Sequence, residues 1–356
     1  MQPIINFLRS VPSSQLAPIK IAIIDDGVDT ALDPFEDKIE SGAEFPDQYG
    51  GDVMKPYFVS SSHHGTMMAY LILKLCPRAK LYIAKLDQRI GTHGRQHITP
   101  NSAAEVCNSH TYIVTTAYTP TLQAVKWAIG CGVDIISMSW SIDSSEKLEN
   151  SPGLKKLQDA IQLASTNGSE SQPDKRILMF CASSDQGLST KYECYPSFWN
   201  QCIRVGSATP TGEKSAWVHG KDIDTLLPGE DVTFDPGDGS SPIDQPGSSV
   251  ATAIAAGLTG MLVYFERLCN SVSGTVNGAH EPEWLLRDKH HLIKAFKYLA
   301  GQTQTHPFPR VDRLRGLSGK RWKRGGDNQE VCDILGNLFD NFRLVAQFPL
   351  TSESHS

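Results

Sequence analysis

Gly247-Ser248-Ser249-Val250-Ala251-Thr252-Ala253-Ile254-Ala255-Ala256-Gly257 follows a Pro/Gly/Asp-rich loop and opens a run without a formal charge until Glu266. A run this apolar, and this rich in Ala and Gly, predicts a helix buried on all sides, with small residues where neighbours press close. Ser249 falls in its first turn, where free backbone N–H groups and the helix dipole favour negative charge. Taken alone, Ser248 or Ser249 reads as a helix cap. The segment Ser249 to Phe265, broken by Ser, Thr and Gly, reads as too short to span a bilayer.

Upstream of this helix the chain alternates between strand and helix signals. Ile19 to Ile24 predicts a strand that ends in Asp25-Asp26-Gly27, and His64 to Leu75 predicts a helix stopped by Pro77. Lys80 to Asp87 predicts a strand, Thr121 to Ile129 a helix, and Val133 to Trp140 another strand. Leu154 to Ala164 is amphipathic; Ile177 to Ala182 is a fully apolar strand, ending in Ser183-Ser184-Asp185. Cys202 to Ser207 gives one further strand, and Glu283 to Ala300 holds a helix. Continuous apolar strands alternating with helices predict an α/β fold, with a mostly parallel sheet covered by helices on both faces. The stretches from Thr30 to Ser62 and from Gln88 to Thr119 are polar and carry no clear period.

Bulk properties narrow the function classes. With 356 residues, 40% hydrophobic and 20% charged, the chain has ample length for a core. A net charge of −6 gives no support to a nucleic-acid or anionic-membrane partner. The eight cysteines have no framework spacing, and several sit in apolar runs where a thiol behaves as a small hydrophobe. Cys194 and Cys202 are near enough in sequence to pair, but no export signal accompanies them, so reduced thiols are expected. No Cys/His cluster has zinc spacing, and no metal is expected. Asn167-Gly168-Ser169 is a glycosylation sequon, unused in a cytosolic protein. The basic cluster Lys320 to Arg324 reads as a solvated surface loop.

Asp25 at a strand end, His64 at a helix start and Ser249 at another helix start belong together. In a parallel sheet the carboxyl ends of strands and the N-termini of helices gather at one edge, where sites form. Acyl transfer by a serine needs a base for the hydroxyl proton and a carboxylate that holds the imidazole tautomer. These three residues supply those parts.

The residues around them carry a family resemblance. Ile21-Ala22-Ile23-Ile24-Asp25-Asp26-Gly27 resembles the aspartate motif of the subtilisin-like serine proteases, the subtilases. His64-Gly65-Thr66-Met67-Met68-Ala69 resembles their histidine motif, and Gly247-Ser248-Ser249-Val250-Ala251 their serine motif, in the Asp, His, Ser order of subtilisin. The likeness extends from about Ile19 to Phe265 and implies a three-layer subtilisin-like fold. It implies a serine endopeptidase acting on polypeptide through an acyl-enzyme. In that reading Ser249 is the nucleophile, His64 the general acid/base and Asp25 its orienting carboxylate. Ser139, Trp140 and Ser141 match the segment that pairs with extended substrate, and Ala182, Ser183, Ser184 and Asp185 the pocket wall with its oxyanion residue.

Four positions depart from the pattern. Asp185 stands where the family usually has Asn, an amide donor to the oxyanion; losing such a donor typically costs about 10²–10³ in turnover. An ionised carboxylate cannot donate. Some kexin-type convertases share Asp at this place and also share Asp-Asp-Gly; the adjacent Asp26 reads as a solvated carboxylate. Ala253 replaces a Pro common after the nucleophile, and Ser248 replaces Thr. Trp140 and Ser141 replace Leu-Gly, and a side chain where Gly allows close backbone approach would narrow the cleft. Asp185, Ser141 and Ala253 motivate the competing reading of a pseudoprotease, a peptide-binding module of a larger intracellular signalling protein.

Two dozen residues before Asp25 leave no room for a pro-domain, so an intracellular, cytoplasmic form is expected, with further domains as conceivable partners. Calcium is common in the family, but no carboxylate cluster here matches a binding loop. The expected organisation is a catalytic domain over 1–300 and an extension over 301–356 that packs on it and ends in a disordered tail.

Overall fold

The computed structural model describes residues 2–46, 55–86, 89–90, 96–97, 119–143, 152–166, 175–185, 194–218, 223–237, 239, 241–276, 285–301, 306–323 and 328–347. Seven strands form one sheet: β1 (Ile19–Asp25), β2 (Ile39–Phe45), β3 (Ala79–Leu86), β4 (Ile135–Met138), β5 (Leu178–Ala182), β6 (Ile203–Ala208) and β7 (Thr225–Pro228). Their order is β7-β6-β5-β4-β1-β3-β2, and every neighbouring pair is parallel. The helices are α1 (Gln2–Ser10), α2 (His64–Leu75), α3 (Thr119–Gly130), α4 (Pro152–Thr166), α5 (Ser248–Val276), α6 (Lys289–Ala300) and α7 (Gln329–Gln347).

Both faces of the sheet are covered, as the apolar strands require. Along β1, Ile19, Ile21 and Ile23 enter one core while Ala22 and Ile24 enter the other. The first core is filled by α1, α2, α5, α6 and α7; the second by α3 and α4. This period of two, with both sets of side chains buried, is what makes the strands read as unbroken apolar runs. The architecture is a three-layer α/β fold.

Several elements were not legible. β2 has the sequence Ile-Glu-Ser-Gly-Ala-Glu-Phe and lies at the sheet edge, largely half-exposed, so it lacks an apolar signature. β7, α1 and α7 were missed for the same want of a long apolar run. Helix α5 is 29 residues long and continues through Glu266. Its segment Ser248–Ser271 is long and apolar enough to cross a membrane, contrary to the expectation from its length, but 89% of its apolar window is buried inside the protein.

The basic cluster is not simply a solvated loop. Trp322 is buried in the first core and its amide donates to Ser10 Oγ at 2.8 Å, tying this segment to α1. Helix α7 adds Val331, Leu335, Phe339 and Phe342 to the same core, and Phe342 meets Tyr298 of α6 edge-on at 5.6 Å. Cys194 and Cys202 are both buried and form no disulfide with one another. The sequon, most of Gln88 to Thr119, and the tail from Thr351 lie outside the described residues.

Candidate active site

β1 pairs with β3 on one side and β4 on the other, and the chain turns to opposite sides of β1 in succession. Such a switch point opens a crevice at the carboxyl ends of the strands. Asp25, the last residue of β1, sits there 1% exposed. Its Oδ1 accepts two hydrogen bonds, from the Asp26 amide and from His64 Nδ1, each at 2.8 Å. Oδ2 is buried without a hydrogen-bond partner among the described residues. A carboxylate accepting at Nδ1 fixes the Nδ1–H tautomer and leaves Nε2 as the basic nitrogen.

His64 begins α2, and its side chain is 19% exposed. Burial opposes its positive charge, but the Asp25 carboxylate, its hydrogen bond and the charge of Asp26 outweigh burial and push the imidazole up to about 9. Burial pushes the Asp25 carboxyl above its ordinary value, against the opposing pull of His64. Gly65 follows because nothing larger fits: a Cβ there would lie 2.2 Å from the Gly27 carbonyl and 2.9 Å from Asp26 Oδ1.

Helix α5 runs alongside α2. A Cβ on Gly257 would meet Ile72 at 3.0 Å, and one on Gly260 would meet Cys76 Sγ at 3.2 Å. Gly257 lies eight residues after Ser249, and Ile72 eight residues after His64. The two helices are therefore parallel and in step, which brings their first turns, with Ser249 and His64, to one edge of the sheet. Ser139, just past β4, donates from Oγ to the Ser249 carbonyl at 3.2 Å. Among the described residues the Asp25–His64 bond is made, and a bond between Ser249 Oγ and His64 is not. Catalytic hydrogen bonds of this kind are often long before substrate binds.

The remaining predicted residues fall around this edge in different ways. Asp185, beyond β5, accepts the Ser248 amide at Oδ2 (2.7 Å) and the Ser248 hydroxyl at Oδ1 (2.6 Å). The Ser248 hydroxyl in turn accepts the Ser207 amide at 3.1 Å. Ala182, Ser183 and Ser184 are buried, and the Ser183 amide donates to Val205 O at 2.9 Å. The indole of Trp140 turns inward. It is 5% exposed within the second core and donates from Nε1 to Ile24 O at 2.8 Å. Ser141 is half-exposed.

Asp26 corrects the sequence reading more sharply. It is fully buried rather than solvated, and its carboxylate accepts from Ser60 Oγ, from the Ser62 amide and hydroxyl, and from the Gly65 amide. Ser60 and Ser62 were not singled out from sequence; a Ser-rich loop before a His pair carries little signal. His63, at φ +63°, reaches Asp29 Oδ2 with Nδ1 at 2.8 Å. Among the described residues no group of three or more His, Cys, Asp or Glu converges.

A profile of the subtilase family matches residues 17–266, the span that carries all of these groups. The chain belongs to the subtilase family. Among curated relatives of this subtilase, the major intracellular serine protease of Bacillus subtilis (strain 168) is 27% identical over 229 residues, covering 60% of this chain and 59% of that protein. The chain thus spans less than two thirds of that relative's length. A solved lanthipeptide protease superposes with a TM-score of 0.57 at 15% identity, over 85% of this chain and 88% of the other. The prenylagaramide maturation protease PagA does so with 0.53 at 17%, over 92% and 98%. At these identities the likeness is one of fold.

Proposed function

We propose that this subtilase is a serine endopeptidase that hydrolyses polypeptide through an acyl-enzyme. Ser249 Oγ attacks the scissile carbonyl, His64 Nε2 takes its proton and later delivers it to the leaving amine, and Asp25 holds the imidazole. The observation that carries this reading is the 2.8 Å bond from His64 Nδ1 to the buried Asp25 carboxylate, on a helix in step with the one that bears Ser249. The oxyanion would meet the Ser249 amide in the first turn of α5, where the dipole favours negative charge. Asp185 would face the same space as a carboxylate already holding Ser248, so turnover at the oxyanion step is expected to be low. Extended substrate would lie against Ser139 to Ser141 and Ala182 to Ser184. Relatives whose names describe intracellular proteases support a cytoplasmic setting.

The test is covalent labelling. A fluorophosphonate probe at pH 9 should add to Ser249, seen by peptide mass spectrometry, and Ser249→Ala should abolish the adduct. A folded protein that stays unlabelled between pH 6 and 10 would count decisively against the proposal.

A further inference from the structure

The mechanism assigns no task to Asp26, although a fully buried carboxylate is costly unless it is hydrogen-bonded. Its oxygens are well supplied. Oδ1 accepts from Ser60 Oγ (2.8 Å) and the Gly65 amide (2.8 Å); Oδ2 accepts from the Ser62 amide (2.6 Å) and the Ser62 hydroxyl (2.7 Å). The Asp26 backbone takes part as well, its carbonyl accepting the Ser61 amide at 3.2 Å. The chain is thus gripped at Ser62 and again at Gly65, with only His63 and His64 between.

We propose that Asp26 is a positioning residue for His64: it clamps the backbone on both sides of the imidazole to the end of β1, while the neighbouring Asp25 clamps the ring. This rests on His64 serving as the base of the peptidase. The adjacent carboxylates divide the work: Asp25, the last residue of β1, takes the ring, and Asp26, just beyond the strand end, takes the backbone. Ring and backbone of one histidine are thereby referenced to a single dipeptide at the end of the central strand. His63 shows how little slack is left, since it holds a left-handed conformation that non-glycine residues rarely adopt. Its ring is tied to Asp29, which also accepts the Thr66 hydroxyl at 2.8 Å and the Ser60 amide at 2.9 Å.

An Asn at position 26 offers one acceptor oxygen where the carboxylate offers two, and turns an NH₂ toward groups that are themselves donors. The charged groups facing His64 are Asp25 at the end of β1 and Asp26 just beyond it, with the buried Lys85 of β3 in register with Asp25 and the His63–Asp29 pair beside it. Removing the Asp26 charge leaves Asp25 as the main support of the imidazolium.

The experiment compares the full chain with Asp26→Asn and Ser62→Ala, using a fluorescently labelled unfolded polypeptide as substrate. In Asp26→Asn, kcat should fall by about 10²-fold while KM changes by less than about threefold, as a misplaced base predicts. The acid limb of the kcat profile should move to lower pH. The downfield proton resonance of the Nδ1–H bond to Asp25 should shift or vanish, which a residue that merely supports the fold would not cause. A folded Asp26→Asn with wild-type kcat and an unmoved resonance overturns the proposal, as does a loss confined to KM. Should Asp26→Asn fail to fold, Ser62→Ala decides: a fall in kcat of a few fold with a shifted resonance is expected, and wild-type values in both overturn it. Failure of the peptidase reading itself would appear separately, as a wild-type protein that never labels at Ser249. The His64 resonance still tests the clamp in that case.

Discussion

Asp185 holds Ser248, the residue before the proposed nucleophile, with both carboxylate oxygens, at 2.7 Å to the amide and 2.6 Å to the hydroxyl. In both bonds the carboxylate is the acceptor. In the proposed mechanism Asp185 is therefore an acceptor where the oxyanion would need a donor. Asp185→Asn keeps one acceptor for the Ser248 amide and frees an NH₂. Turnover of the variant should rise by about 10²-fold at neutral pH, the inverse of deleting an oxyanion donor. Its stability should fall by about 1 kcal/mol for the lost charge-assisted bond. Steady-state kinetics together with urea denaturation checks both; an unchanged or lower kcat would remove Asp185 from the oxyanion site.

The pH dependence follows from His64. An imidazole pushed up to about 9 must lose its proton before it can act as the base, so kcat/KM should climb with pH to a half-maximum near 9. The sign for stability is the opposite. A raised folded-state value means the stabilisation is fully present below the ordinary histidine value of about 6.5 and is lost as pH rises through about 9. Asp25→Asn should remove the alkaline loss and depress activity across the profile, as thermal melts and kinetics between pH 5 and 10 would reveal.

The Trp140 indole braces the segment after β4 against β1. Trp140→Phe keeps the ring in the second core but deletes the donor to Ile24 O. A loss of about 1 kcal/mol or more is expected in chemical denaturation, most of it the cost of the abandoned carbonyl. No loss would mean that the bond to Ile24 contributes nothing net.

Glu266, 3% exposed in α5, accepts the Leu286 amide at Oε1 (2.9 Å), while Oε2 has no hydrogen-bond partner among the described residues. Burial pushes its carboxyl up to about 7, partly offset by the Leu286 and Leu285 amides and the nearby Arg287. With the folded-state value raised, the wild type loses stability as pH climbs through about 7. Glu266→Gln keeps the acceptor without the charge and should be about 1–2 kcal/mol more stable than wild type at pH 9. The two should converge at pH 4 and below. Equal stabilities at pH 9 would show that the nearby arginines neutralise Glu266.

Gly65→Ala tests the close approach behind the histidine motif. Its Cβ would fall 2.2 Å from a backbone carbonyl, which has no flexible end to swing away. Displacement of α2 from Gly27 should lower activity by at least about 10²-fold, measured as loss of probe labelling at Ser249.

What could be read from the residues alone was whatever depends on local pattern. Apolar runs such as Ile19 to Ile24 and Ile177 to Ala182 announced buried parallel strands, because a strand covered on both faces has no polar side to show. Edge strand β2 was silent, since a half-exposed strand with Glu40, Ser41 and Glu44 offers no such run. The motifs around Asp25, His64 and Ser249 were legible as short strings with fixed chemistry. That topology would bring them to one edge was an expectation; what was not legible is that α2 and α5 run in step through Gly257 and Gly260, contacts about 185 residues apart in the chain. The fate of each charge was likewise settled only by folding. The resemblance named Asp25 as the carboxylate for the ring, but nothing in the sequence shows that Asp26 takes the backbone or that the Asp185 oxygens are already engaged by Ser248. Sequence fixes which groups can donate or accept; only the packed structure decides which of them face each other, since a hydrogen bond depends on distance and direction that no local pattern encodes.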